Sequence, residues 1–342
     1  MKQDQIRGSL LAGAAGDALG YAVEFIKEDA IFSRYGEDGI TEFDLKKGVA
    51  EISDDTQMTL FTAEGLLMEG DPIKNIALAY REWLLTQNYS YEECKEKFQT
   101  QTRLMAIPEL FSPRAPGMTC LSAIYDGMGS IRNPLNKSKG CGGVMRVAPI
   151  GLMFDPEKMP QEEIDMLAAE AAALTHGHPL GYIPAAAFAH IVSRIVWAGD
   201  SIKEACLSAN SAMARLFEKE KDLPYFLSLM EKAISLAESE TFNLDAIHAL
   251  GEGWVAEEAL AIAVFAAIRY ADDIESALIV AANHKGDSDS TAAIAGNIIG
   301  ASLGMEAIPE KFLEKLELKG LILRMADDLY VNGKIIGGSD GK

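Results

Sequence analysis

The chain has 342 residues, 49% of them hydrophobic, which is enough to bury a large core in one big domain or two smaller ones. Its 51 acids against 31 bases leave a formal charge of −20, and a field of that sign repels phosphate, which argues against a general nucleic-acid surface or an anionic membrane as partner. The cysteines, Cys94, Cys120, Cys141 and Cys206, show no paired C-x-x-C spacing, so neither a zinc framework nor a disulfide scaffold is expected and reduced thiols fit a cytoplasmic location.

Ala, Leu, Met and Glu are abundant and alternating Val/Ile/Thr runs are scarce, so nearly every long segment reads as helix and the class is all-α. Helices are expected at about 4–25, 54–69, 73–86, 90–106, 117–129, 161–174, 179–198, 201–218, 223–239, 254–270, 273–282, 290–303 and 309–316. The segment 26–50, rich in Gly and charge, reads as a loop carrying a short strand or lid. Joints at 112–117, 133–143 and 175–184 have turn composition, so one compact domain over 1–342 is expected. The apolar stretch from Ser9 to Gly16 is broken early by Asp17, which argues against a secretory signal. No run of about 20 uncharged apolar residues suggests a membrane span.

In the first helix Gly13, Gly16, Asp17, Gly20 and Glu24 recur at three-, four- and seven-residue intervals and share one face. Each interior glycine costs roughly 1 kcal/mol relative to alanine. Close helix packing explains that cost, and so does a buried site that Asp17 and Glu24 face; the two readings are compatible. Further on, Ser53-Asp54-Asp55-Thr56 precedes an apolar run, as does Gly286-Asp287-Ser288-Asp289-Ser290-Thr291 more than two hundred residues later.

Both runs have the composition of helix N-caps. Their carboxylates and hydroxyls are also the oxygen donors that Mg²⁺ or Mn²⁺ prefers. Convergence separates the two readings. A helix start stabilises a carboxylate by roughly 0.3–1 kcal/mol, whereas two like charges ~5 Å apart repel by roughly 3 kcal/mol at an effective dielectric of ~20. Four ionised carboxylates brought together therefore need a cation among them, or protons.

Between the acidic runs lie weaker signals. Arg114, in Arg114-Ala115-Pro116-Gly117, suits a salt bridge or a substrate phosphate. The turn Gly140-Cys141-Gly142-Gly143 is either an ordinary tight turn or a set of N–H groups for a diphosphate; it matches neither the P-loop nor the dinucleotide fingerprint. Thr175-His176-Gly177-His178-Pro179 lacks the further ligands a zinc site needs, and hydrogen bonding to a polar ligand, assigned to His178, or to the loop itself is expected. His190 and His248 read as surface or satisfied core residues, and His284 as a neighbour of Asp287. Glu257 and Glu258 suit a positive helix end and are left outside the site. No plausible Ser/His/Asp triad is legible.

Taken together and in this order, Gly16-Asp17-Ala18-Leu19-Gly20 with Glu24, the Ser53–Thr56 run, Arg114–Gly117, the Gly140–Arg146 turn, Thr175–Pro179, Gly253–Leu260 and Gly286–Thr291 resemble the ADP-ribosylglycohydrolase family. The resemblance spans about residues 6–303 and implies an all-α orthogonal helical domain that removes ADP-ribose from modified proteins with a two-metal centre, Mg²⁺ or Mn²⁺. It makes Ser53, Asp54, Asp55, Asp287, Asp289 and Ser290 the metal ligands, Glu24 the glutamate near the scissile ribose, and Gly140, Cys141, Gly142 and Gly143 substrate contacts. Thr is common in the family at the positions of Ser53 and Ser290, and Asn at that of Cys141. In the mechanism this suggests, Asp55 helps a water and Glu24 assists proton transfer or gates access. The partner is an ADP-ribosylated protein or small ADP-ribosyl compound; linkage, metal and oligomeric state have no sequence signature. Two other readings use the same features. A binding or crystallin-like relative would keep the pocket without turnover, and an isoprenoid synthase would need acid three residues after Asp55, where Met58 stands.

Overall fold

The computed structural model describes residues 1–335, and they fold as a stack of helices. In chain order these are α1 (Lys2–Tyr21), α2 (Glu28–Tyr35), α3 (Asp54–Leu67), α4 (Pro72–Asn88), α5 (Tyr91–Lys97), α6 (Met118–Tyr125), α7 (Ala148–Met153) and α8 (Gln161–Ala173). There follow α9 (Pro179–Ser193), α10 (Ile202–Leu216), α11 (Leu223–Ala237), α12 (Asn243–Leu250), α13 (Ala256–Arg269), α14 (Ile274–Ala282), α15 (Ser288–Leu303) and α16 (Lys319–Ile335). Among the described residues, strand-like pairing is confined to isolated bridges, Lys46 with Val49, Ala50 with Leu316 and Gly140 with Val255. Apolar side chains from nearly every helix meet in one buried cluster.

At the centre α1 lies against α15, the most extensive helix pair among the described residues. The glycines of α1 make this possible: a Cβ on Gly16 would fall 2.1 Å from Ala292 O, and one on Gly20 would fall 2.2 Å from Ser288 O. Backbones that close exclude any side chain between them, so the helical cost of glycine is offset by packing. The same contact sets the end of α1, with Asp17 in its last turns and Glu24 just beyond, beside the start of α15.

Several elements differ from the sequence-based expectation. The segment 26–50 carries α2 and, in place of a strand, the short bridge between Lys46 and Val49. The helix expected over 90–106 stops at Lys97 and resumes as a 3₁₀ turn, Arg103–Ala106. α6 ends at Tyr125 because Gly127 and Met128 adopt positive φ, 105° and 66°. The 309–316 helix is only a 3₁₀ turn, Glu310–Phe312, while α7, α12 and α16 are additional. The continuous segment Pro179–Ala198 is long and apolar enough to cross a membrane, but 89% of its apolar window is buried among the other helices, as a core helix requires.

Candidate active site

Asp17 is fully buried and organises the start of α3. Its carboxylate accepts the Ser53 N–H at 2.9 and 3.1 Å, the Thr56 N–H at 3.0 Å and the Thr56 hydroxyl in a short bond. Ser53 is the N-cap, its Oγ accepting the Asp55 N–H at 3.2 Å. The capping reading is thus correct for Ser53. Asp54 is anchored differently, its Oδ2 accepting the Gly117 N–H at 3.1 Å while its own N–H donates to Arg114 O at 3.1 Å. Asp55 Oδ2 is buried with no hydrogen-bond partner.

The second acidic run arrives on the turn before α15. Asp287 N–H donates to Glu252 O at 2.8 Å, and Asp289 Oδ1 accepts the Ser290 N–H at 2.9 Å. His284 holds this turn from behind: its Nδ1 accepts the Gly286 N–H at 3.1 Å, and its Nε2 lies 2.9 Å from Thr291 Oγ1. Since Nδ1 is an acceptor, the proton is assigned to Nε2. Burial lowers the pKa of this ring to about 4, which keeps it neutral.

The two runs do converge. Asp54, Asp55, Asp287, Asp289 and Ser290 line one pocket of about 360 Å³ together with Glu24, and Ser53 is buried just behind it. Ligand oxygens of Glu24, Asp287 and Asp289 lie within 4.8 Å of one another. Burial, then the charge of Asp289, pushes the Glu24 carboxyl up to about 11. Burial also holds Asp54, Asp55 and Asp287 well above the ordinary carboxylate range. Glu24 Oε2, like Asp55 Oδ2, has no protein partner. Orphaned carboxylate oxygens in an all-oxygen donor set fit hard divalent cations, which remove the mutual repulsion that protonation otherwise has to relieve. A larger cavity of about 680 Å³ lies elsewhere, lined by Phe32, Phe242 and Tyr270 among others. Its acids, Glu37, Asp38 and Glu275, do not bring their oxygens together; among the described residues only Glu24, Asp287 and Asp289 do, and chemistry favours the smaller pocket.

The opposite wall is built on the glycine turn. Cys141 N–H donates to Trp254 O at 3.2 Å and Ala256 N–H to Lys139 O at 2.9 Å, tying the turn to the start of α13. Gly140, Cys141 and Gly142 line the pocket; Gly143 packs behind it, where a Cβ would come 3.1 Å from Gly181 O. The histidine in this wall is His176. His178 instead caps α9, its Nδ1 accepting the Leu180 N–H at 3.1 Å, with Nε2 3.7 Å from Asp222. The two rings stand two residues apart at a helix entry, and the path of the backbone decides which one turns inward.

The remaining signals find structural partners. Arg114 pairs with Glu51 and Glu317, each at 3.2 Å. Glu257 pairs with Lys139, and Glu258 accepts the Glu252 and Gly253 N–H groups, so neither acid enters the pocket. At the pocket mouth the Phe25 and Trp254 rings stack with centroids 6.1 Å apart. Sequence reasoning had no signal for the Phe25 contact. A Ser/His/Asp chain does exist: His190 bridges Asp165 at 2.8 Å and Ser208 at 2.9 Å. Asp165 and His190 are buried, Ser208 lies inside α10, and none of the three lines the acidic pocket, so the chain satisfies a core histidine.

Comparison with known proteins agrees with this geometry. The family model described as ADP-ribosylglycohydrolase matches residues 1–335. The ADP-ribosyl-[dinitrogen reductase] glycohydrolase of Rhodospirillum rubrum is 25% identical over 324 residues, covering 92% of this chain and 91% of that protein. The ADP-ribosylhydrolase ARH3 of Mus musculus is 25% identical over 287 residues, covering 78% of this chain and 73% of the relative. A solved ADP-ribosylglycohydrolase-related protein complex shares the fold, with a TM-score of 0.64, 23% identity and coverage of 97% and 99%. A match running through every described residue, on a helical frame that gathers the acidic motifs into one pocket, places this chain in the ADP-ribosylglycohydrolase family of hydrolases.

Proposed function

We propose that the chain hydrolyses the glycosidic bond between ADP-ribose and a protein side chain or small aglycone, at the acidic pocket and with two divalent cations, Mg²⁺ or Mn²⁺. Ser53, Asp54, Asp55, Asp287, Asp289 and Ser290 would hold the cations, with Glu24 at their edge. The observation that carries this reading is the pair of partnerless buried oxygens, Glu24 Oε2 and Asp55 Oδ2, among acids from three distant segments. When bound, the cations supply Lewis-acid polarisation and favour ionisation of water at neutral pH.

The side chains have separable tasks. Asp55, ionised once the cations displace the proton that burial otherwise holds on it, accepts the proton of the attacking water as a general base. Glu24, which burial biases toward the protonated form, donates toward the departing group as the bond opens through an oxocarbenium-like state. Gly140, Cys141 and Gly142 receive the diphosphate, and His176 takes the contact that the sequence assigned to His178. Asp17 holds Ser53 and Thr56 and thereby the orientation of Asp54 and Asp55.

The test is release of free ADP-ribose from arginine-linked, serine-linked and small ADP-ribosyl substrates in Mg²⁺, Mn²⁺ or EDTA. Cation-dependent release from at least one substrate is expected. Stoichiometric binding of ADP-ribose without release from any of them would replace this reading with that of a binding module.

A further inference from the structure

Arg146 is fully buried, a place a guanidinium ordinarily occupies only beside an acid. Its partners here are neutral. One terminal nitrogen, Nη2, donates to Thr175 Oγ1 at 2.7 Å and Ala171 O at 3.3 Å. The other, Nη1, reaches Met58 Sδ at 3.3 Å and Cys120 Sγ at 3.4 Å. The group stacks 4.3 Å from the Tyr80 ring centre, and Nε has no partner at all. A guanidinium keeps its proton in a protein, so a full positive charge sits directly beneath the pocket wall formed by Cys120 and His176.

The bond to Thr175 has a directional consequence. Thr175 Oγ1 already accepts from Arg146, and its own proton has two possible acceptors, His176 Nδ1 at 2.8 Å and Ala172 O at 3.5 Å. Were His176 Nδ1 the donor instead, the Thr175 proton would be left only the 3.5 Å contact to Ala172 O; donation to Nδ1 places that proton in a full hydrogen bond. An imidazole that accepts at Nδ1 carries its proton on Nε2. That nitrogen faces the glycine turn: a Cβ on Gly140 would lie 3.3 Å from it, and one on Gly142 would lie 3.0 Å from the adjacent Cε1. Absence of side chains at both positions leaves room for a ligand atom there.

We propose that Arg146, acting through Thr175, is the positioning residue that fixes His176 as the Nε2–H tautomer, giving the pocket a preset hydrogen-bond donor for the anionic diphosphate of its substrate. Burial, then the Arg146 charge, pushes the His176 pKa down to about 3, so the ring donates as a neutral group at working pH. A positive charge beneath this wall and a fixed donor on it meet the need of a protein of net charge −20 to receive an anion locally. The inference rests on reading this pocket as the ADP-ribose site.

The experiment uses full-length protein with ¹⁵N-labelled histidine, Mg²⁺ present, as wild type, Thr175→Val and Thr175→Ser. Long-range proton–nitrogen correlation spectra report the His176 tautomer, and calorimetry reports ADP-ribose affinity. Wild type should show a protonated Nε2 and a bare Nδ1. Thr175→Val should give mixed tautomers and about tenfold weaker binding, the size of one lost oriented hydrogen bond; Thr175→Ser should restore both. A protonated Nδ1 in wild type overturns the proposal. So does Thr175→Val with an unchanged tautomer, whatever its affinity. An Nε2–H tautomer in a wild type that binds no ADP-ribose overturns the anion role by refuting the pocket's assignment, and is distinguishable because the spectrum stands on its own.

Discussion

Two buried carboxyl groups at the end of α1 carry opposite burdens. Asp17 has more donors than an uncharged amide can serve, since both oxygens accept from Ser53 and one also takes the N–H and hydroxyl of Thr56. Asp17→Asn turns one acceptor into a donor facing donors; a loss of about 1–3 kcal/mol in urea denaturation is expected, with activity falling alongside. Glu24 is the reverse case, a partnerless acid among acids. Glu24→Gln removes the cost of holding this buried carboxyl protonated without changing its size. Metal-free protein should gain about 0.5–2 kcal/mol by thermal melting while ADP-ribose release falls about 10²–10⁴-fold, a trade of stability against function. A variant that loses both stability and activity would remove Glu24 from its proposed role. At this scale the sequence was most informative where acids and hydroxyls precede apolar runs, because caps and pocket ligands draw on the same residue types. It was least informative for His176 against His178, since the backbone turn into α9, not composition, selects the inward ring.

The contact between α1 and α15 is what joins the acidic runs. Gly16→Ala would put a methyl group 2.1 Å from Ala292 O, against backbone that cannot rotate away. The helices would have to separate. A loss of about 1–3 kcal/mol is expected by chemical denaturation, the ordinary penalty of overpacking, together with weaker Mn²⁺ uptake as Asp289 moves from Glu24. Unchanged stability would contradict the packing account. The face carrying Gly13, Gly16 and Gly20 was legible from spacing alone, but its partner helix was not, because periodicity marks a buried face without saying what covers it. The same limit explains the elements missed. α7 and α12 are short and held by tertiary packing, whereas α16 begins only after Leu318 turns at φ 56°.

Over the whole molecule, burial makes stability depend on pH in a way that cations should suppress. The raised carboxyl groups, Asp17 at about 7 and Glu24 at about 11 among them, bind more protons folded than unfolded from the ordinary carboxylate value near 4 up to these raised values, so stability falls as pH rises across that interval. His176 and His284, lowered to about 3 and about 4, work the other way: the unfolded chain gains protons below the ordinary histidine value near 6.5, and stability falls as pH drops from there. EDTA-treated protein should therefore melt at a higher temperature near pH 6 than near pH 8, and Mn²⁺ should flatten the difference by replacing protons among the acids. A metal-free melting temperature that rises from pH 6 to pH 8 would contradict this balance. Underlying every scale is the claim that the converged acids hold divalent cations. Titration calorimetry of Mn²⁺ into EDTA-stripped wild type and Asp289→Asn tests it most directly. Saturable uptake of about two ions per chain in wild type, and loss of at least one in the variant, is predicted; no saturable heat, or a variant identical to wild type, would contradict it.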